Sequence, residues 1–175
     1  MIISADTLIA MDEFKDMDKD SLTTKLEAIE NLIRAYTNNN FQNRNMRIDA
    51  AIEDGIVCGE CPYFAEGDTV QISQSMVNDG LYTIGKITDQ GFTVDKPVYD
   101  QEINTITKVV YPPDVQKGVI DLMVWEKDQR SKVGVKSETI SRYSVTYYDQ
   151  DASNQVMGYP VSLLGFLEAY MKPRF

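Results

Sequence analysis

The residues whose types and spacing come closest to a reactive site are the two cysteines, Cys58 and Cys61, in the sequence CGEC. A Cys-x-x-Cys pair can act as a redox dithiol or supply half of a tetrahedral zinc site. The chain has no histidine and no third cysteine to complete such a zinc site. A redox pair belongs at the start of a helix in a βαβ setting, whereas CGEC is turn-like and is followed by Pro62. We therefore favour a reduced pair in a turn over catalytic thiols.

Other chemistry finds little support in the sequence. The absence of histidine removes the commonest general base and any Ser-His or Cys-His nucleophile, and no phosphate-binding or dinucleotide-binding glycine motif is present. The acidic runs at 16–20 and 149–151 are typical of solvated surfaces, and the first lacks the glycine and distal glutamate of a calcium loop. The sequence predicts neither an enzyme nor a bound cofactor or metal.

Composition points to an ordinary globular protein. The chain has 175 residues, 43% of them apolar and 25% charged, which suits one domain or one domain with an insertion. No stretch approaches the roughly 20 apolar residues of a membrane span, and the acidic N-terminus does not look like a signal peptide. We expect a protein of the cytoplasm, or of a particle assembled there. The net charge of −10 predicts a surface that repels nucleic acid.

Helical periodicity marks the first part of the chain. Residues 5–17 could form a short helix with Leu8, Met11 and Phe14 facing inward. A longer helix of about 17 residues is predicted from Ser21, capped by Asp20 or Ser21 and ended by the asparagines at 38–40. Its apolar positions recur every three or four residues, as one helix face requires: Leu22, Leu26, Ile29, Ile33 and Tyr36.

Short strands and turn signals fill residues 41–111. Glu53-Asp54-Gly55 suggests a hairpin turn, although MRIDAAIEDG could also form one or two helical turns. The remaining turn signals and strands suggest a small SH3-like β-barrel. Between Gly67 and Tyr111 the sequence has three lysines and six acidic residues. This excess of negative charge favours a barrel that contacts protein over one that binds phosphate. The candidate interior residues are Val70, Ile72, Ile84, Phe92, Val94, Val109 and Tyr111.

A further helix is predicted after Pro112-Pro113, with few polar residues in its middle. Gly118 is costly in a helix and therefore suggests a close helix contact. We expect this helix to be central and to pack on the Leu22–Tyr36 helix and on a short helix starting at Pro160.

The last forty residues look incomplete on their own. KSETISRYSVTYY alternates with a period of two, as one strand would, and has no obvious partner strand beside it. The tail MKPRF is too short to bury itself. Both features predict contact with a second molecule. The candidate interface residues are Ser137, Thr139, Ile140, Tyr143, Val145, Tyr147, Tyr170, Lys172, Arg174 and Phe175.

These C-terminal residues carry a resemblance. KSETISRYSVTYY followed by GYPVSLLGFLEAYMKPRF resembles the C-terminal signature of the head–tail connector, or adaptor, proteins of long-tailed bacteriophages. DMDKDSLTTKLEAIENLIRAYTNN is similar to the N-terminal helix of that family. The matching parts cover somewhat over half of the chain and consist of packing residues with no catalytic group, and the middle, from about Phe41 to Tyr111, departs from the family pattern as an insertion.

Together with the strand and turn signals of residues 41–111, the resemblance implies an α+β fold: a bundle of about three to four helices (1–40 and 112–175), an inserted SH3-like barrel (41–111), and an extended C-terminal strand, helix and tail. It implies a virion protein of the phage neck, assembled in the host cytoplasm as a homo-oligomeric ring of about twelve subunits. The implied partners are the portal protein and a stopper or tail-completion protein, with genomic DNA passing unbound through the ring. The alternatives are a thiol-disulfide oxidoreductase using Cys58 and Cys61, and a host-cell adaptor with a β-barrel.

Overall fold

The chain folds into two compact units. The computed structural model describes residues 1–129, 137–140, 143–146, 155–156 and 158–174. One unit, the barrel unit, comprises Asn39–Tyr111 together with Met1, and the other, the helical unit, comprises Ile2–Asn38 and the described residues from Pro112 onward. The fold is therefore mixed α+β, as the sequence predicts.

The barrel unit is a closed barrel of six antiparallel strands. They are β1 (Gln42–Glu53), β2 (Ile56–Cys58), β3 (Thr69–Ser73), β4 (Gly80–Thr88), β5 (Gly91–Val94) and β6 (Gln101–Val109). The strand order is β1-β2-β5-β4-β3-β6, and β6 pairs with β1 to close the barrel. Closure gives each of these strands a hydrogen-bonded neighbour on both sides.

The predicted turn at 53–55 is confirmed, and the helical alternative for MRIDAAIEDG is wrong. Asp54 and Gly55 both adopt positive φ, at 51° and 78°, and the strands on either side pair Glu53 with Ile56. Asp and Gly are the residues that tolerate this conformation. Local turn chemistry therefore sets the register of the first hairpin.

The barrel interior is apolar and largely follows the predicted residues. Val70, Ile72, Ile84 and Phe92 are buried in one cluster, and Val94 packs against it partly buried. Val109 and Tyr111 are also buried, but they lie outside that cluster. Prediction missed several members of the cluster: Ile52, Val57, Phe64, Tyr82 and Ile106.

The helical unit begins with α1 (Ala5–Ile9), which is shorter than predicted. From residue 10 the chain continues in turns whose hydrogen bonds join every third residue, from Met11 to Leu8 and from Phe14 to Met11. Because these turns repeat every three residues, they place Leu8, Met11 and Phe14 on one side without an α-helix. Leu8 and Phe14 are buried and Met11 is half-buried.

Helix α2 (Lys19–Thr37) is the long helix expected from the sequence. Its N-cap is Asp18, whose carboxylate accepts a 2.8 Å hydrogen bond from the Ser21 amide, so the predicted caps Asp20 and Ser21 lie within the helix. Asn38 ends it in the left-handed conformation, at φ 49°, as the predicted asparagine terminator. Four of the predicted apolar positions are buried and Tyr36 is half-buried.

Helix α3 (Pro113–Gln129) follows the barrel. Its buried residues are Val115, Gly118, Val119, Leu122 and Met123. The lysine of α2 at position 25 lies 3.8 Å from the Glu126 carboxylate of α3. The predicted helix is therefore present. One of its faces is buried, and Ile120, Val124 and Trp125 are half-buried.

Candidate protein–protein interface

The first predicted interface segment forms a hairpin. Strands β7 (Ser137–Ile140) and β8 (Tyr143–Thr146) pair antiparallel with each other. The prediction of one continuous strand without a partner in its own chain is therefore wrong. Period-two alternation is the same whether a segment forms one strand or two, so it cannot reveal the break. The register pairs Ser137 with Thr146, Thr139 with Ser144 and Ile140 with Tyr143.

The helix predicted at Pro160 takes a different form. Residues Gln155–Val156 (β9) and Tyr159–Pro160 (β10) form a two-stranded pair, followed by 3₁₀ helices at Val161–Leu163 and Gly165–Tyr170. Pro160 is extended, with ψ 134°, so it ends a strand and does not begin an α-helix. Within residues 161–170, the buried residues Leu164 and Leu167 are three positions apart, which is the period of a 3₁₀ helix.

This segment packs closely on α3. A Cβ atom added to Gly118 would lie 2.4 Å from the Phe166 ring, so the predicted close contact at Gly118 is confirmed. The Trp125 and Tyr159 rings are 5.5 Å apart between centroids. The buried Tyr159 hydroxyl donates a 2.5 Å hydrogen bond to the Glu126 carboxylate. Aromatic contacts and one charged hydrogen bond thus fix the segment to the helix.

Tyr170 forms a polar contact with the first turn of α3. Its hydroxyl donates to both carboxylate oxygens of Asp114, at 2.8 and 2.7 Å. This hydrogen bond, followed by desolvation and repulsion from the same charge, raises the pKa of Tyr170. Asp114 also accepts a hydrogen bond from the Val115 amide. The carboxylate therefore joins the C-terminal segment to the start of the helix.

The tail lies on the C-terminal end of α2. The Lys172 amide donates to the Thr37 carbonyl at 2.8 Å, and the Asn38 side-chain amide donates to the Pro173 carbonyl at 2.7 Å. The Arg174 guanidinium donates to the Ala35 carbonyl at 2.7 Å. The last carbonyls of a helix lack partners within it and carry partial negative charge, so amide and guanidinium donors are favourable there.

The structure brings some of the predicted interface residues together. Tyr170, Lys172 and Arg174 lie in one segment that runs from α3 to the end of α2. Lys172 and Arg174 remain exposed, so this contact with their own chain leaves their side chains accessible. The other strand candidates, Thr139, Ile140, Tyr143 and Val145, are placed by backbone pairing only. Tyr147 and Phe175 lie outside the described residues.

The sequence did not predict two residues that hold the C-terminal segment in place. Asn38 was predicted only as a helix terminator, and Asp114 was not among the predicted interface residues. Their partners lie more than fifty positions away, at Pro173 and Tyr170. Local sequence patterns carry no signal for such distant pairs.

The two cysteines are free thiols, and the surroundings of Cys61 do not activate it. The thiols of Cys58 and Cys61 donate to the nearby carbonyls of Ile56 and Gly59. Burial raises the pKa of the Cys61 thiol, which lowers the fraction of reactive thiolate at neutral pH. Within the described ranges, no group of three or more Cys, Asp or Glu side chains could hold a metal ion.

Searches for similar proteins identify no relative. The chain matches no family model, no curated protein and no solved structure. In the part of the chain that the structure describes, no helix has both the length and the apolar character to cross a membrane.

Proposed function

We propose that the chain is a structural virion protein that forms a ring beneath the portal of a long-tailed phage. In this role it joins the capsid to the tail or stopper and lets DNA pass. The net charge of −10 suits a ring that DNA must slide through without binding.

The observation that best supports this proposal is the contact between the two segments that resemble connector proteins. They are more than a hundred residues apart in sequence, yet the Lys172 amide donates to the Thr37 carbonyl and the Asn38 amide to the Pro173 carbonyl. Both belong to the helical unit, whereas the non-matching middle forms the barrel unit. A helical unit with a separately folded insertion is what a connector protein with an inserted domain requires.

The barrel in this proposal is an SH3-like module that contacts neighbouring proteins. Its closed antiparallel sheet of six strands is compatible with that class. The exposed C-terminal segment and the β7–β8 hairpin are the surfaces that we assign to neighbouring subunits and to the portal. Contacts of one patch with a different patch on the next copy close into rings when the rotation permits.

Electron microscopy of negatively stained complexes tests the proposal. We expect the full chain to form a ring on the portal protein of the phage that encodes it, and a chain lacking residues 172–175 to remain folded but not to attach. The Tyr63→Ser variant, changed at an exposed barrel position, is the matched control and should attach normally. A full-length chain that forms no ring on the portal would refute the proposal.

A further inference from the structure

One end of the barrel carries an unusual combination of apolar and acidic side chains. This end, which we term the acidic rim, comprises residues 53–56, 74–80 and 94–103. They are the turn between β1 and β2, the loop between β3 and β4, and the loop from β5 into the start of β6. The chain enters β1 and leaves β6 at the opposite end of the barrel.

Four large apolar side chains on the acidic rim are exposed to solvent. The exposed fractions are 91% for Met76, 56% for Val77, 69% for Tyr99 and 67% for Ile103. Clustered exposed apolar residues on a soluble protein mark binding surfaces more often than scattered ones do. Met76 also adopts a positive φ of 63°, which is unfavourable for a residue with a side chain. Its position is therefore imposed by the loop around it.

A buried asparagine fixes these loops to each other. The Asn78 side chain donates to the Tyr99 carbonyl at 2.8 Å and accepts from the Tyr99 amide at 2.8 Å. The Tyr82 hydroxyl donates to the Asn78 carbonyl at 3.0 Å. Buried Asn104, next to Ile103, donates to the carbonyls of Ala50 and Gln101. The apolar side chains thus stand on a preorganised backbone, which lowers the entropy cost of binding.

The charges on the acidic rim have one predominant sign. Lys96 is its single basic residue, and all of its acidic residues are exposed. The acidic residues are Glu53, Asp54, Asp79, Asp95, Asp100 and Glu102. Carboxylates that surround an apolar patch attract cationic partners and repel anionic ones.

A depression on the acidic rim fits a cationic side chain. It lies between the end of β1 and the start of β6 and is lined by Ala51, Ile52, Glu53, Asp100, Gln101 and Glu102. The half-buried Ala51 can contact the aliphatic stem of a lysine or arginine, while the carboxylates receive its charged head.

We propose that the acidic rim binds a polypeptide segment of a partner protein in which aromatic or long aliphatic side chains are flanked by lysine or arginine. Tyr99, Ile103, Met76 and Val77 contact its apolar side chains, and the carboxylates at 53, 100 and 102 receive its cations. The charge of the rim opposes nucleic acid and anionic lipid. This binding does not depend on the ring proposed above.

Peptide display on the full-length protein tests this inference without the portal. A library of random peptides is selected on the immobilised chain, and the enriched peptides are synthesised and measured by fluorescence polarisation. We expect them to combine apolar residues with lysine or arginine. The double variant Tyr99→Ser, Ile103→Ser should weaken their binding about tenfold or more.

A second variant tests the charge separately. Asp100→Asn with Glu102→Gln keeps the size of both side chains and the oxygen that accepts from the Asp54 amide. It should weaken binding and reduce its salt dependence. The matched control is Tyr63→Ser, which removes a side chain that is 52% exposed outside the acidic rim and should bind normally.

Several outcomes would overturn the inference. The first is that the enriched peptides lack basic residues. The second is that the Asp100→Asn, Glu102→Gln variant binds the peptides as tightly as the native chain does. The third is that no peptide prefers the native chain to the Tyr99→Ser, Ile103→Ser variant. A dimer in analytical ultracentrifugation that the same substitutions dissociate would assign the surface to a second copy. Circular dichroism checks the fold of each variant. If the Tyr99→Ser, Ile103→Ser variant is unfolded, the Asp100→Asn, Glu102→Gln variant alone decides the test.

Discussion

At the scale of single residues, Gly118 shows how one missing side chain permits the contact of two elements. Glycine costs a helix interior about 1 kcal/mol relative to alanine. Here the space of its absent Cβ atom is occupied by the Phe166 ring. The contact brings the C-terminal segment against α3, and we expect its contribution to stability to exceed the helix propensity that glycine loses.

The Gly118→Ala variant tests this account. We expect a loss of up to about 2 kcal/mol in the free energy of unfolding, since overpacking costs roughly 1–3 kcal/mol and better helix propensity returns about 1 kcal/mol. In a Phe166→Ala background the same change should become stabilising. Gly165→Ala, where an added Cβ would meet nothing within 4 Å, is the control. A loss that persists without the Phe166 ring would contradict the account.

Tyr170 makes a prediction about pH at the same scale. Its folded pKa is raised, mainly by the hydrogen bond to Asp114, so the contribution of this contact to stability is present below the ordinary tyrosine pKa, near 10. It is lost as the pH rises through the higher folded value. Difference titration of tyrosinate absorbance between the native chain and Tyr170→Phe measures that pKa. Asp114→Asn should lower it, and an unchanged value would show that Asp114 is not its cause.

At the scale of elements, the end of α2 is where the tail is held. Asn38 has two roles there. Its left-handed backbone ends the helix, and its side chain donates to the Pro173 carbonyl. The two roles can be separated by substitution, because glycine adopts the same backbone conformation without a side-chain donor.

The Asn38→Gly variant should therefore loosen the tail while it preserves the helix end. We expect a stability loss of about 0.5–1.5 kcal/mol, the usual net value of one hydrogen bond, and faster hydrogen exchange at the Lys172 amide. The Met171 amide, which donates to the Glu168 carbonyl, is the internal control and should exchange as before. Equal acceleration at both amides would mean that the 3₁₀ helix opens together with the tail.

Elements were predictable from sequence where a local rule decides them. Asp54-Gly55 predicted a hairpin and Asn38 predicted a helix end, because these residues tolerate the left-handed backbone conformation that each position requires. The 3₁₀ form of Gly165–Tyr170 and the β7–β8 hairpin were not predictable, because apolar spacing of three to four suits both helix types and a period of two suits one strand or two.

At the scale of the whole molecule, the candidate sites depend on pairs that are far apart in sequence. The tail was expected to need a partner because nothing near it could cover it, yet its hydrogen bonds reach Thr37, Asn38 and Ala35. The acidic rim joins three loops through Asn78, which bonds to Tyr99, and Asp100, which accepts from the Asp54 amide. Only the closed barrel brings these loops to one end, and sequence spacing does not encode that closure.

The barrel unit should be removable without unfolding the helical unit. The Val110 amide donates to the Phe41 carbonyl at 2.9 Å, and Gln42 pairs with Val109, so the chain leaves the barrel next to where it enters. A Gly-Ser-Gly link can therefore replace residues 42–109 with little change in loop closure, and we expect the free energy of unfolding of the helical unit to change by about 1 kcal/mol or less.

Circular dichroism and urea unfolding of the shortened chain, and of residues 39–111 expressed alone, measure this independence. Both proteins should unfold cooperatively, the first as a helical protein and the second as a β protein. If the ring proposal is right, the shortened chain also attaches to the portal, since the C-terminal segment and its hydrogen bonds to α2 lie in the helical unit. An unfolded shortened chain would show that the two units depend on each other.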